Sequence, residues 1–239
     1  MSETFMAHSP DLDLVFARRG WLSRQSADWR RKVLDIARRI SFDSGETIVH
    51  IGDTGGGIYG VVSGGVGSIA MTPMAGPTLG HINRPGAWFG EGPLLTGSQR
   101  TMTFRAMEET EVVLVPLSEL RPQMAADPAF AGMIAMLTED ACRASIEVAC
   151  ELLIRDAPRR VAATLLRVTA VREGIRSAFP QGFRINQADL GEMACLSRMH
   201  TNRILNDLQA RGLIALKYNH IDIIRPDALA AFVRQDKDT

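Results

Sequence analysis

The chain has 239 residues, of which 46% are hydrophobic and 23% charged, a composition that excludes a disordered or collagen-like protein and accommodates two small globular domains. Lys and Arg number 27 against 27 Asp and Glu, so no overall charge draws the molecule to nucleic acid or to a membrane. The balance is uneven, however: residues 156–239 carry 13 basic against 9 acidic side chains (+4) and residues 1–155 the remaining 14 against 18 (−4), which permits a phosphate-facing surface toward the C-terminus.

The opening "MSETFMAHSPDLDLVF" has no basic segment followed by an apolar one, and no apolar run reaches the roughly 18 residues of a membrane span, so a soluble cytoplasmic protein without a membrane partner is expected. Cys142, Cys150 and Cys195 lack CxxC spacing and are expected as reduced thiols, with no metal site. Residues from Asp11 to Arg39 read as helical. From Ile40 short apolar runs alternate with glycine turns, the pattern of a small antiparallel β-roll.

Asp127-Pro128 places a capping residue before a proline at the first helical position, and no glycine or proline interrupts the chain from Met133 to Arg155. Ile134, Leu137, Ala141, Ala144, Val148 and Leu152 recur at spacings of three and four along this helix, a seam suited to a second helix across a homodimer or to the domain's own core. Asp156-Ala157-Pro158 restarts a helix, "PRRVAATLLRVTAVREG". The expected domains are residues 1–126, 127–155 and 156–239.

In the last of these, Asn186 can cap a helix with Asp189 three residues on, Leu190, Met193 and Ala194 form its buried stripe, and Cys195-Leu196 turns the chain. Ser197 caps a second helix that buries Ile204, Leu205 and Leu208 and presents Arg198, Met199, Asn202, Arg203 and Asn206. Beyond Gly212, "LIALKYNHIDII" reads as two short strands around a polar turn, giving a helix-turn-helix with a β-wing.

The turn glycines Gly45, Gly52 and Gly64 with Tyr59 between them, "FGE" at 89–91, "RT" at 100–101, the long helix and "LSRMHTNRIL" together resemble the CRP/FNR family of bacterial transcription regulators, over most of the chain. The resemblance implies an α+β fold: an N-terminal antiparallel β-roll that is a cyclic-nucleotide-binding sensor, a long dimerisation helix and a C-terminal winged helix-turn-helix. It implies that Glu91 accepts a ribose 2′-hydroxyl, that Arg100 pairs with the phosphate, that Thr101 adds a hydroxyl donor and that Gly90 lets backbone amides approach the anion. A charged hydrogen bond of this kind contributes roughly 1.5 to 3 kcal/mol, and a semi-buried arginine without an anion is expected to cost about as much. The alternative arrangement is a structural Glu91–Arg100 pair in a regulator that binds DNA constitutively.

The loop between Gly90 and Arg100 is one residue shorter than in the cyclic-AMP receptor protein, and the family's Thr-Ser pair at the purine falls on Ser145-Ile146, leaving the single hydroxyl of Ser145. Cyclic AMP is the favoured effector, with cyclic GMP as a competitor because a threonine follows the cassette arginine. Iron-sulfur relatives need clustered N-terminal cysteines, and haem relatives a sensory histidine, for which His50 and His81 are weak candidates.

At the DNA end the resemblance places Ser197, Arg198, Met199, His200, Asn202 and Arg203 on the recognition helix. Arg198 and Arg203 would reach guanines, Asn202 an adenine and Met199 at most a thymine methyl, while Asn186, His200 and the wing residues Lys217, Tyr218 and His220 would hold phosphates. The partners implied are a near-palindromic double-stranded DNA operator, a second copy of the chain and, further off, RNA polymerase. No nucleophile elbow, P-loop or metal-ligand cluster points to an enzyme.

Overall fold

The structure is a computed structural model that describes residues 11–169 and 183–234. The reading of residues 1–10, and the expected helix beyond residue 169, lie outside them. Helix α1 (Leu12–Arg18) begins at Asp11, whose carboxylate accepts from the Asp13 N–H, and α2 (Ala27–Asp35) begins at Ser26. The continuous helical stretch expected from Asp11 to Arg39 is broken between them by a 3₁₀ turn, Trp21–Arg24. Gly20 is the cause: its φ is +79°, and a Cβ there would stand 1.9 Å from the Gly86 carbonyl oxygen. Arg38 and Arg39 are already in a strand.

Eight strands then form two facing antiparallel sheets. One joins β1 (Arg38–Phe42), β8 (Thr110–Pro116), β3 (Gly57–Ser63) and β6 (Trp88–Phe89) in that order, and the other joins β2 (Thr47–Val49), β7 (Met102–Ala106), β4 (Val66–Thr72) and β5 (Ala75–Asn83). Val61, Val66, Phe89, Phe104 and Val112 fill the space between them. A second cluster packs Phe16, Trp21 and Trp88 against the first sheet and against two helices, α4 (Leu117–Ala126) and α5 (Pro128–Leu152). Helical structure therefore resumes at Leu117, before the Asp127 expected from sequence; Pro116 and Pro122 obscure that helix in the pattern.

In α5 the expected seam divides. Ile134 and Leu137 are buried in the chain's own core, Ala144 and Val148 are half-buried, and Ala141 and Leu152 are exposed. A different apolar row, Cys142, Ile146 and Ala149 with Leu153 at the C-cap, faces outward at spacings of four, three and four. Helix α5 also ends at Leu152, short of Arg155.

The C-terminal unit contains α6 (Ala157–Thr169), α7 (Gln187–Met193), α8 (Arg198–Ala210), α9 (Pro226–Arg234) and a three-stranded sheet. Its wing hairpin, β10 (Ile214–Lys217) and β11 (His220–Ile223), is joined by a two-residue strand the sequence did not disclose, β9 (Phe183–Arg184). Cys195 turns the chain between α7 and α8 at φ +53°, a conformation that costs an L-residue about 1 to 2 kcal/mol. Cys195→Gly is accordingly expected to raise the unfolding free energy by about 1 kcal/mol in urea titration, and a lowered midpoint would contradict this reading of the turn.

Candidate nucleotide and nucleic-acid sites

Strand β6 delivers Gly90 and Glu91 to the head of a short helix, α3 (Gly92–Thr96), while the chain returning toward β7 delivers Arg100. Arg100 is fixed at its backbone by the turn at 52–53: its carbonyl accepts from the Gly52 N–H (2.8 Å) and its N–H donates to the Asp53 carbonyl (2.9 Å). The side chain, 4% exposed, donates from Nη1 to the Gly90 carbonyl (2.8 Å) and from Nη2 to the carbonyls of Gly55 (2.9 Å) and Gly57 (2.8 Å). It also lies 5.7 Å from the Tyr59 ring centroid. Gly90 has φ +90°, and a Cβ on it would meet Arg100 Nη1 at 2.8 Å, so glycine is needed both for the turn and for the close approach.

This corrects the expectation that a buried Arg100 would be left unsatisfied without an anion: three backbone carbonyls hold it. The acceptors at Gly55 and Gly57 were missed in the sequence, although the run "TGGGIY" at 54–59 marks a place where backbone comes close to something else. A guanidinium has five N–H donors, and three bonds leave two; the buried Nε is one, and it has no partner.

Glu91 is 9% exposed and forms no ion pair with Arg100, so the structural pair weighed from sequence is not the arrangement adopted. Burial lifts the Glu91 pKa above its ordinary value of 4.5, opposed by the backbone N–H groups of Glu91 and Gly90 and by the nearby Arg100 charge. A carboxyl raised in the folded state binds more protons there than when unfolded, so it subtracts stability as pH rises through the raised value. Glu91→Gln is therefore expected to melt higher than wild type at pH 8, with the gain vanishing toward pH 4; equal melting temperatures at both pH values would contradict it.

Thr101 is exposed at the entrance to β7, and Ser145 is exposed on α5 with its hydroxyl donating to the Ala141 carbonyl (3.0 Å) of its own helix. The structure thus brings Gly90, Glu91 and Arg100 together, while Thr101 follows by chain connection and Ser145 bonds elsewhere. Aromatic contacts lead from the cassette to α5. Phe89 stacks on Tyr59 and Phe104, Trp88 meets Trp21 edge-on at 5.5 Å, and Trp21 Nε1 donates to the Met133 carbonyl.

In the C-terminal unit Asn186 accepts from the Asp189 N–H (2.7 Å) and Ser197 from the His200 N–H (3.3 Å), so both side chains cap helices. Arg198, Met199, His200, Asn202 and Arg203 are all exposed along α8, Met199 at 83%. Arg198 and Arg203 form no ion pair with a described residue, whereas Asn202 Oδ1 already accepts from Gln187 (2.9 Å) and Asn206 (3.4 Å). On the wing Lys217 is bound to Asp222 at 2.7 Å, and Tyr218 projects 91% exposed.

Among the described residues no group of three or more His, Cys, Asp or Glu is placed to hold a metal ion, and no helix is long and apolar enough to cross a membrane.

Comparison with known proteins places two families on this frame. A cyclic nucleotide-binding domain matches residues 39–127, and a Crp-like helix-turn-helix domain matches residues 159–232. A CRP-like cAMP-activated global transcriptional regulator of Mycobacterium tuberculosis is 26% identical over 225 residues, 93% of this chain and 100% of the relative. The cyclic AMP receptor protein of Thermus thermophilus is 28% identical over 193 residues, 80% of this chain and 85% of the relative. Among solved structures, FixK2 from Bradyrhizobium japonicum shares the fold with a TM-score of 0.71 and 22% identity, over 84% of this chain and 99% of that one.

Proposed function

Because this chain belongs to the CRP/FNR family of transcription regulators, we propose that it works as a homodimer whose grip on a near-palindromic operator is set by a cyclic nucleotide in the sensor. One observation carries this reading. A buried carboxylate with no cationic partner, Glu91, stands beside a buried guanidinium with two unused donors, one of them the unpartnered Nε of Arg100. A ring phosphodiester supplies acceptor oxygens for that guanidinium, and a ribose hydroxyl supplies Glu91 with a donor beyond the backbone N–H groups of Glu91 and Gly90. Thr101 would add a hydroxyl at the phosphate, and Ser145 would meet the base from α5.

Cyclic AMP is favoured by the names of the relatives, and Thr101 keeps cyclic GMP in competition. The aromatic contacts from Phe89 and Trp88 to Trp21 and Met133 offer a stiff route by which a shift at the cassette reaches α5. On α8, Arg198 and Arg203 would read guanines, each worth about 1 to 3 kcal/mol against a wrong base. Met199 would meet a thymine methyl, while Asn186, Ser197, His200 and Lys217 would steady phosphates. Asn202 would have to exchange its bonds to Gln187 and Asn206 for an adenine edge.

A second reading, a regulator that binds DNA constitutively, draws on the three carbonyl bonds that satisfy Arg100 within the protein. Calorimetric titration separates the two. Saturable heat with cyclic AMP or cyclic GMP is expected, and heat from neither leaves the constitutive reading.

A further inference from the structure

Two arginines outside the cassette cross between the sensor and the DNA-binding unit in opposite directions. Arg84, 3% exposed at the end of β5, donates from Nε to the Val168 carbonyl (3.3 Å) and from Nη2 to the Arg184 carbonyl (2.9 Å), while Glu108 of the sensor holds its Nη1 at 2.6 Å. Arg167, on α6, reaches back and donates from Nη1 to the Gly80 carbonyl (3.0 Å) and to His81 Nδ1 (2.8 Å) on β5. That bond requires a neutral His81 accepting at Nδ1; burial, with Arg167, Arg84 and Arg19 nearby, keeps its pKa down at about 3. Around the arginines, Leu79 and Ile82 of the sensor are 1% exposed within the core of the DNA-binding unit, and the Leu79 N–H donates to Glu192 of α7 (2.7 Å).

Arg167 has a third attachment: its Nε donates to Glu151 near the C-terminal end of α5 (2.8 Å). One guanidinium therefore joins the DNA-binding unit that carries it, the sensor strand β5 and the long helix α5. Its Nη2 is already buried without a partner. A buried charge is tolerated only while its partners stay in place, so a movement of α5 that withdraws Glu151 leaves Arg167 uncompensated against β5.

We infer that Arg84 and Arg167 form a reciprocal latch docking the DNA-binding unit on β5, and that the Arg167–Glu151 bond is the part by which movement of α5 releases it. Only the trigger, a nucleotide that moves α5, rests on the function proposed above; the latch stands on these contacts. The chemistry is that of an intramolecular docking surface with guanidinium donors on both sides and backbone carbonyls as the principal acceptors.

Hydrogen exchange at the Leu79 amide in the full chain reads the docking directly, because that N–H bonds to the other unit. Glu151→Gln and Arg167→Lys are expected to speed Leu79 exchange at least tenfold, while Val61 in the sensor core and Leu205 in the DNA-binding core keep their protection and so report that both units remain folded. Should Arg167→Lys disturb either core, Arg84→Lys repeats the test from the opposite side. Unchanged exchange at Leu79 in Glu151→Gln would overturn the inference. Saturating nucleotide, cyclic AMP or cyclic GMP according to which gives calorimetric heat, is expected to speed Leu79 exchange in the wild type. Heat without any change at Leu79 would overturn the release mechanism. Heat from neither nucleotide counts against the proposed effector, and the variants alone then decide the latch.

Discussion

Replacing Arg100 by Met is expected to remove nucleotide binding and, separately, to lower the unfolding free energy by about 3 kcal/mol, because the charged hydrogen bonds it donates contribute roughly 1.5 to 3 kcal/mol each. The two effects have different origins. The stability loss comes from the carbonyls of Gly57 and Gly90, which lie in buried surroundings and lose their donor, while water can reach the exposed Gly55. The binding loss comes from the two donors that the carbonyls leave unused. Arg100→Lys is expected to lie between wild type and Arg100→Met in stability, since one ammonium cannot span three carbonyls as a fork does, and to lose binding nearly as fully. Calorimetry and urea unfolding on the same preparations check both; an Arg100→Met protein as stable as wild type would contradict the bonding described here.

The outward row on α5 carries the second large effect. Ile146 is 57% exposed and Leu153 is 79% exposed, and neither belongs to a core cluster of its own chain. Burying such side chains against a second copy is worth about 1.5 to 3 kcal/mol each, and a symmetric pair buries two from each subunit. Ile146→Asp combined with Leu153→Asp is expected to halve the mass found by sedimentation while leaving the circular dichroism of the chain unchanged. Operator affinity should fall by at least a hundredfold, because a single unit then engages one half-site without the effective concentration supplied by a tethered second. A double variant that still sediments as a dimer would place the dimer surface elsewhere.

The parts of the fold governed by local chemistry were legible in the sequence. Asn186 and Ser197 are capping residues at the starts of α7 and α8, and the glycine turns mark the strand ends of the two sheets. What escaped is non-local. Gly20 ends a helix because of where Gly86 lies, and nothing near Gly20 in the sequence announces that contact. The expected α5 seam divides because the helix is apolar on two sides, one serving its own sensor around Ile134 and Leu137 and the other facing outward around Ile146. Glu91 and Arg100 were singled out by the resemblance of "FGE" and "RT" to the family's motifs, but the carbonyls holding Arg100 depend on the path of residues 55–57, and main-chain acceptors carry no side-chain signature. Arg84 and Arg167 were unremarked for the same reason: half of their acceptors are backbone atoms, and all but one of the six lie in segments distant in the sequence from the arginine they bind.

The most direct test of a nucleotide-gated regulator is the affinity of the full chain for its own operator, recovered from random duplex DNA, with and without saturating nucleotide at fixed salt. A coupling of about 1 to 3 kcal/mol between effector and DNA sites predicts binding roughly 5 to 150 times tighter with nucleotide present, and no such gain in Arg100→Met. Equal affinity with and without cyclic AMP and cyclic GMP would contradict it.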